Sequence, residues 1–255
     1  MIVDLHSHFV PGVDDGAASV AEALEALQAL RAEDVVTAVT TPHLLLPWLE
    51  TGPAVDHELD RHRRAFETLT EAAAGRNDLP ALGLGQEILA PDAATLRRAL
   101  GRPGLGLGGT SYLLVEFGFD LEGDHLDVVR AVADAGRRIV VSHAERYRYP
   151  PGFDPVETVR VWREEGGLIQ VNAGSLTGAY ERSNPGARAL AWRFIEEDLA
   201  DLIATDHHAR NRPVSPRDAW DALVAAGRQP QAERLMFETP GRIVRDEAVA
   251  WGRAT

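Results

Sequence analysis

Histidine and carboxylate residues are concentrated near both ends of this chain. Asp4-Leu5-His6-Ser7-His8 is followed shortly by Asp14-Asp15-Gly16, and Ala204-Thr205-Asp206-His207-His208 comes far downstream. Imidazole nitrogen and carboxylate oxygen together are typical ligands of zinc, manganese and iron ions. Because a carboxylate can bridge two ions, such sites often hold more than one. These segments therefore predict a centre of divalent metal ions.

Further histidine and glutamate residues occur where short apolar runs of the sequence end. They are His43, Glu87, Glu116 and His143. Glu116 lies in the apolar run Leu113–Phe117, where an unpaired carboxylate would be costly to bury, so it favours a metal ion or another strong cation as its partner. A single histidine at such a position is more often an ordinary hydrogen-bonded residue. The prediction of a metal centre therefore rests on the whole set.

The spacing of the histidines also bears on which of them can share an ion. On an extended segment, residues two apart point to the same side, so His6 and His8 can reach one ion. The same reasoning applies to Asp206 and His208. His207, which lies between those two, is expected to point away from the ions.

The composition excludes several classes of function. The net charge of −13 would repel the phosphates of a nucleic acid, which argues against such a partner. The chain has no cysteine, which removes disulfides, thiolate ligands and a cysteine nucleophile. No stretch approaches the ~20 apolar residues of a membrane span. Met1 passes directly into an apolar strand without a basic region or a cleavage site, so we expect a cytoplasmic protein.

Short apolar runs alternate with longer helical patterns along the chain. The predicted strands are Ile2–Leu5, Val35–Thr40, Ala81–Gln86, Tyr112–Phe117, Arg138–Ser142, Leu168–Asn172 and Leu202–Ala204. Such alternation is typical of parallel strands with right-handed crossovers. We predict an α/β fold, a distorted seven-stranded (β/α)7 TIM-like barrel, with residues 1–255 forming a single domain. Carboxyl ends of parallel barrel strands meet on one face, so residues at the strand ends would ring one pocket.

Two helix starts can be predicted from capping residues. Ser19 followed by Glu22 is a capping box, which predicts a helix that begins directly after Ser19. Pro185 after Asn184 predicts a second start, with the asparagine as the N-cap and the proline in the first turn.

Several of these motifs resemble the polymerase and histidinol phosphatase (PHP) superfamily, whose pattern includes His-x-His, Thr-Pro-His, a strand-end Glu and a final Asp-x-His. More narrowly, the sequence resembles the bacterial tyrosine-protein phosphatase branch of that superfamily. Its members are manganese-dependent enzymes linked to capsule and exopolysaccharide biosynthesis. The segments that carry this narrower resemblance are Asp4–His8, Val13–Gly16, Val115–Phe117, Ser142–Tyr147 and Pro240–Val244.

The resemblance implies three metal ions, with manganese favoured and iron or zinc as alternatives. The implied ligand sets are His6, His8, Glu87 and Asp206 for one ion, Glu116 and His143 for the second, and Asp15, His43 and His208 for the third. Glu87 is able to bridge. Asp15 matches the family better than Asp14, although residue type alone leaves both open. Arg146 and Arg212 fall where the family binds phosphate.

The chemistry of such a centre agrees with this resemblance. Two or three close divalent ions lower the pKa of a bridging water, so that a hydroxide is available near neutral pH. The hydroxide would attack phosphorus in line, while Arg146 and Arg212 hold phosphoryl oxygens by bidentate contacts. A surface ion pair is the alternative for each arginine. The chemistry predicts hydrolysis of a phosphomonoester, and the resemblance implies that this is phosphotyrosine in a protein, with a bacterial tyrosine kinase as one substrate.

Two other functions stay open at this point. A PHP phosphoesterase acting on a small phosphomonoester such as histidinol phosphate or a nucleotide would use the same ligands and differ only in the loops at the rim. A non-catalytic regulatory protein of this fold would have lost ligands, and none is lost. The apolar segment Leu44–Leu49 replaces residues that are often basic in the branch. It could contact an aromatic substrate, a partner chain or the protein core.

Overall fold

Parallel strands alternate with helices in a computed structural model that describes residues 1–249. The strands are β1 (Ile2–Asp4), β2 (Val35–Thr40), β3 (His43–Leu45), β4 (Ala81–Leu84), β5 (Glu87–Leu89), β6 (Tyr112–Glu116), β7 (Arg138–Val141), β8 (Leu168–Asn172) and β9 (Leu202–Ala204). The α-helices are α1 (Val20–Ala32), α2 (Gly52–Ala73), α3 (Ala93–Arg97), α4 (Leu126–Asp134), α5 (Pro155–Glu164), α6 (Ala173–Thr177), α7 (Ala187–Glu196), α8 (Pro216–Ala225), α9 (Gln229–Glu233) and α10 (Thr239–Val244). The predicted α/β class is confirmed.

The strands form two parallel sheets, with the orders β1-β2-β4 and β3-β5-β6-β7-β8-β9. Residues 1–249 thus contain nine strands in two sheets, so the predicted count of seven and the single closed barrel are not confirmed. The two additional strands are β3, which follows β2 after a two-residue break, and β5, which follows β4 after a break that falls inside the predicted strand Ala81–Gln86. Thr41-Pro42 separates β2 from β3, where the proline has no N–H to donate to a ladder. Gly85-Gln86 separates β4 from β5.

The segments that follow the first and the last strand are joined by backbone hydrogen bonds. Asp206 N donates to His6 O at 2.7 Å, and His8 N donates to His207 O at 2.8 Å. These bonds lie beyond the carboxyl ends of β1 and β9. They place the His-x-His and Asp-x-His motifs side by side, although the motifs come from opposite ends of the chain.

Both faces of the larger sheet are buried. In β6, Leu113 and Val115 belong to a core cluster that the helices cover, whereas Tyr112 and Leu114 belong to a second, smaller cluster. This alternation follows from the two-residue period of a strand. Because both faces are covered, the strands read as nearly continuous apolar runs. A polar side chain in such a strand is therefore placed in a buried environment.

The two predicted helix starts have different outcomes. Ser19 caps α1 as predicted, since its Oγ accepts from Glu22 N at 3.3 Å. The start at Asn184 and Pro185 is wrong, because α7 begins at residue 187. The Asn184 side chain instead donates to the carbonyl of Arg146 at 2.6 Å.

Within residues 1–249, none of the helices combines the length and the apolar composition that a membrane span needs.

Candidate metal centre

Most of the side chains that the sequence predicted as ligands lie at or beyond the carboxyl ends of strands, whereas His43 and Glu87 are the first residues of β3 and β5. By element, the predicted ligands are His6, His8 and Asp15 after β1, His43 in β3, Glu87 in β5, Glu116 in β6, His143 after β7, and Asp206 and His208 after β9. The parallel arrangement brings these strand ends together, as the sequence predicted. β8 supplies none of the nine.

Three groups of potential ligand atoms lie within residues 1–249, and the atoms of each group are within 4.8 Å of one another. The groups are His6, His8 and Glu87; His43, Glu87 and Glu116; and His8, Asp15, His43 and His208. Because His8, His43 and Glu87 each belong to two groups, the three groups together form one continuous cluster. The predicted set of Asp15, His43 and His208 is complete within it.

His143 and Asp206 complete the cluster through contacts with its members. His143 Nε2 lies 2.9 Å from Glu87 Oε1. Asp206 Oδ1 lies 3.5 Å from His6 Nε2 and 3.4 Å from His8 Nε2. The carboxylate of Glu87 is therefore at the centre, within 3.5 Å of imidazole nitrogens from several strands.

The donor set fits divalent cations. The Nε2 atoms of His6 and His8 face each other at 3.3 Å, which suits two ligands of a single ion. His43 Nδ1 lies 2.8 Å from Glu87 Oε2, yet both atoms are buried and neither has a hydrogen-bond partner. Buried polar atoms are almost always paired, so unpaired ones that face each other indicate a place for a cation.

The electrostatics of the cluster point in the same direction. Burial, together with the nearby charge of Glu87, raises the pKa of Glu116 to about 8. Burial acts to lower the pKa of His43, but the carboxylates of Glu87 and Asp15 raise it to about 10. Burial lowers the pKa of His143 to about 4, which leaves this imidazole neutral, as a metal ligand must be. The site thus attracts positive charge strongly.

Asp14 and Asp15 have different surroundings, which the sequence could not distinguish. Asp14 Oδ2 accepts from His8 Nδ1 at 2.7 Å, so it orients that imidazole and leaves Nε2 free. Asp15 Oδ1 lies 3.2 Å from both His43 Nε2 and His208 Nε2. Asp15 therefore lies among the imidazole nitrogens of the cluster, and Asp14 lies behind one of them.

Close packing explains why the last residue of the Asp-Asp-Gly motif, Gly16, is a glycine. A Cβ at this residue would lie 2.0 Å from the carbonyl oxygen of His8, so only glycine allows the loop to approach the first strand this closely. The amide of Gly16 also donates to Asp14 Oδ1 at 3.0 Å, which folds the loop on itself. The motif holds both aspartates beside the histidines.

β8 contributes a chain of hydrogen bonds that sequence reasoning missed. His6 Nδ1 donates to Gln170 Oε1 at 2.9 Å, and Gln170 Nε2 donates to Asn172 Oδ1 at 2.6 Å. Asn172 Nδ2 then donates to Asp206 Oδ2 at 3.0 Å. This amide relay fixes His6 with Nε2 free and ties it to Asp206. Its only sequence signal is the pair of polar residues two apart in an otherwise apolar strand.

Two residues of the cluster have left-handed backbone conformations that are rare outside glycine. The φ angle is 32° at His143 and 51° at Asp206. Such conformations cost of order 1–3 kcal/mol and persist where the surrounding structure holds them, often at functional sites. His207, in contrast, accepts from Ala209 N at 2.9 Å and lies outside the three groups, as expected.

Arg146 and Arg212 converge on the edge of the cluster. Arg146 Nη1 lies 2.6 Å from Asp206 Oδ2, and Arg212 Nη2 lies 2.7 Å from Asp206 Oδ1. The ring of Tyr180, another residue that sequence reasoning missed, lies beside both. Its centroid is 4.6 Å from Arg146 Cζ and 5.8 Å from Arg212 Cζ. The structure thus brings two guanidinium groups, each with forked donors, to the side of the cluster, an arrangement suited to a phosphate group.

Comparisons with known proteins agree with this arrangement. The sequence matches the family model described as capsular polysaccharide synthesis, CpsB/CapC, over residues 2–245. The tyrosine-protein phosphatase YwqE of Bacillus subtilis is 28% identical over 230 residues, which are 87% of this chain and 84% of that protein. The tyrosine-protein phosphatase CpsB of Streptococcus pneumoniae is 25% identical over 258 residues, which are 97% of this chain and 100% of that protein.

Solved structures show the same fold. One, described with YwqE of Bacillus subtilis and CpsB of Streptococcus pneumoniae as metal-dependent tyrosine phosphatases, has a TM-score of 0.76 at 23% identity and covers 98% of this chain and 96% of that one. The lactonase Lmo2620 of Listeria monocytogenes has a TM-score of 0.53 at 13% identity, covering 97% and 95%. The family match spans nearly the whole sequence, and the cluster lies within it. The chain therefore belongs to the CpsB/CapC family of capsular polysaccharide synthesis.

Proposed function

We propose that this protein is a metal-dependent protein-tyrosine phosphatase. The observation that carries the proposal is the convergence of Arg146 and Arg212 on Asp206, at the edge of a cluster of histidines and carboxylates. Membership of the CpsB/CapC family supports it, as do the names of the relatives YwqE and CpsB. A phosphorylated protein, such as a bacterial tyrosine kinase, would be the substrate.

The residues we propose as ligands would hold two to three divalent ions, with manganese favoured over iron or zinc. The proposed ligands are His6, His8, Glu87 and Asp206 for one ion, Glu116 and His143 for a second, and Asp15, His43 and His208 for a third, with Glu87 able to bridge. The geometry adds His43 as a neighbour of Glu116. When bound, the ions supply Lewis acidity, which makes water nucleophilic near neutral pH.

The protein's own side chains would bind and orient the phosphate. Arg146 and Arg212 each present a planar fork of donors that matches phosphoryl oxygens. Asp206 keeps both guanidinium groups at the edge of the cluster, and Tyr180 supports them from the side. The arginines would therefore hold the phosphate in a fixed position, with little freedom left to lose in the reaction.

The decisive experiment compares three substrates at equal concentration in the presence of Mn²⁺: a phosphotyrosine peptide, the matching phosphoserine peptide and histidinol phosphate. We expect the phosphotyrosine peptide to be hydrolysed fastest. A preference for histidinol phosphate would instead indicate the small-molecule phosphatase. Phosphate release should be measured before and after exhaustive chelation, and full activity after chelation would contradict a metal-dependent reaction.

A variant of one proposed ligand tests the site itself. His6→Ala should lower phosphate release by roughly a hundredfold or more, because it removes a ligand. It should also reduce the metal content measured by mass spectrometry. His57→Ala is the matched control, since His57 is an exposed histidine on α2. Equal metal content in both variants would remove His6 from the ligand set.

Two further proposals concern the chain as a whole. The match to one family model over residues 2–245 supports a single domain over residues 1–255. A cytoplasmic location, which would give access to kinases of the cell interior, stays a prediction.

A further inference from the structure

Phe119 lies at the mouth of the candidate site, in the connection that follows β6. Its ring is stacked on the ring of His143, with 5.5 Å between the centroids and an angle of 12° between the planes. The guanidinium carbon of Arg146 lies 5.0 Å from the centroid of the same ring. Phe119 is thus in contact with one proposed metal ligand and with one proposed phosphate-binding residue.

The three residues differ in their exposure to solvent. His143 is 2% exposed and Arg146 is 7% exposed, whereas Phe119 is 37% exposed. Phe119 is therefore the outermost of the three. A substrate whose phosphate contacts Arg146 would therefore lie close to this ring.

Packing of Arg146 alone does not account for the position of Phe119. Arg146 already has a buried aromatic neighbour, since Tyr180 is 4% exposed and its ring centroid lies 4.6 Å from Arg146 Cζ. The guanidinium group therefore has one ring within the protein and a second ring on the solvent side. The second ring leaves part of its surface free for another molecule.

We propose that Phe119 is a specificity-determining residue, whose exposed ring packs against the phenyl ring of an aryl phosphate. This inference rests on the proposed phosphatase function and names the feature that would favour phosphotyrosine. In phosphotyrosine the aromatic ring is attached directly to the ester oxygen, so a phosphate bound at Arg146 places that ring within reach of Phe119. Aromatic pairs with centroids 4.5–7 Å apart are favourable beyond the area that they bury. Phosphoserine has no ring at this distance from phosphorus.

The first test measures binding without catalysis. Phenylphosphonate and methylphosphonate, which carry the same phosphonate group with and without a ring, are titrated by calorimetry into the manganese-loaded protein. Phe119→Leu should weaken phenylphosphonate binding by about 3- to 10-fold and leave methylphosphonate binding unchanged. Phe119→Trp should restore the affinity for phenylphosphonate, because it restores an aromatic face.

Phe153→Leu is the matched control, since Phe153 is an exposed phenylalanine of similar accessibility, at 40%. It should change neither affinity. If Phe119→Leu weakens both phosphonates equally, Phe119 only supports Arg146 and the proposal is overturned. Unchanged affinity for both phosphonates would overturn it as well.

A second test uses turnover and separates this inference from the proposed function. Phe119→Leu should raise KM for a phosphotyrosine peptide by about 3- to 10-fold, with kcat changed little, and should leave the slower hydrolysis of the phosphoserine peptide unaltered. Failure of the unsubstituted protein to hydrolyse phosphotyrosine would contradict the proposed function, whereas the phosphonate titration would still decide the role of Phe119.

Discussion

At the scale of single residues, two neighbouring aspartates show how position assigns a role. Asp14 is hydrogen bonded to the Nδ1 atom of His8, while Asp15 approaches the Nε2 atoms of His43 and His208. The hydrogen bonds of His208 and His43 hold the pKa of Asp15 well below its usual value, so it is a carboxylate at any pH near neutral. We therefore propose that Asp15 binds an ion and that Asp14 orients a histidine.

Exchange of each aspartate for asparagine tests this division. Asp15→Asn should lower the number of manganese ions bound per chain by one, because it removes a charged side chain from the proposed ligand set of Asp15, His43 and His208. Asp14→Asn should preserve the number of ions and weaken their binding by about 10- to 100-fold, as is typical when the partner of a ligating histidine is lost. Mass spectrometry gives the number of ions, and competition with a chelator gives the affinity. The opposite pattern would make Asp14 the ligand.

At the scale of elements, β8 acts on the site without supplying a ligand. Its residues Gln170 and Asn172 point to one face of the strand and connect His6 to Asp206 through amide hydrogen bonds. The alternate residues Ile169 and Val171 belong to the core cluster under the helices. A single strand therefore supports the candidate metal centre with one face and the core of the fold with the other.

Substitutions on the two faces of β8 should have separable effects. Gln170→Met keeps the approximate length of the side chain but removes the relay, and it should weaken manganese binding by about 10- to 100-fold. Val171→Ala is the control, because it should lower the free energy of unfolding by about 2 kcal/mol through lost packing. It should leave manganese binding almost unchanged. Equal losses of metal affinity in both variants would mean that β8 acts only through general stability.

The elements also show how far sequence reasoning reaches. Residue types at strand ends identified eight of the nine side chains of the cluster, because an apolar run followed by histidine or carboxylate is visible in the sequence. Asp15 was added by the family resemblance. β3 and β5 were missed because each has three residues and is defined by pairing with a neighbouring strand, which local patterns do not contain. The roles of Asn184, Gln170 and Tyr180 were missed for the same reason. Each depends on a partner that is distant in sequence.

At the scale of the whole molecule, a buried charge lies at the end of the sheet opposite to the cluster. Asp201 comes directly before β9 and is 4% exposed. Its carboxylate accepts from Ile169 N at 2.8 Å and from Arg163 Nη2 at 3.0 Å. Burial nevertheless raises its pKa to about 6, since Arg163 and the amide offset only part of the desolvation. This carboxylate therefore makes the stability of the fold depend on pH.

The sign of that dependence follows from the raised pKa. Between pH 4 and pH 6 the folded state binds more protons at Asp201 than the unfolded state, so this group's contribution to stability falls as the pH rises. Asp201→Asn removes the titration. We compare the free energy of unfolding of the variant with that of the unsubstituted protein. The value for Asp201→Asn minus the value for the unsubstituted protein should rise from pH 4 to pH 6, by as much as about 3 kcal/mol. Urea unfolding of both proteins in the presence of a chelator at pH 4, 5, 6 and 7 measures the difference. A constant difference would contradict the prediction.

The hydrogen bonds between the segments after β1 and β9 have a consequence for synthesis of the chain. His8 and His207 are joined through their backbones, but the ribosome makes them roughly 10–40 s apart at 5–20 residues per second. During that interval β1 can pair with β2, but the segment after β1 cannot yet form hydrogen bonds with the segment after β9. A nascent chain therefore carries His6 and His8 without Asp206 and His208, and we expect it to bind these ions weakly until the last strand emerges.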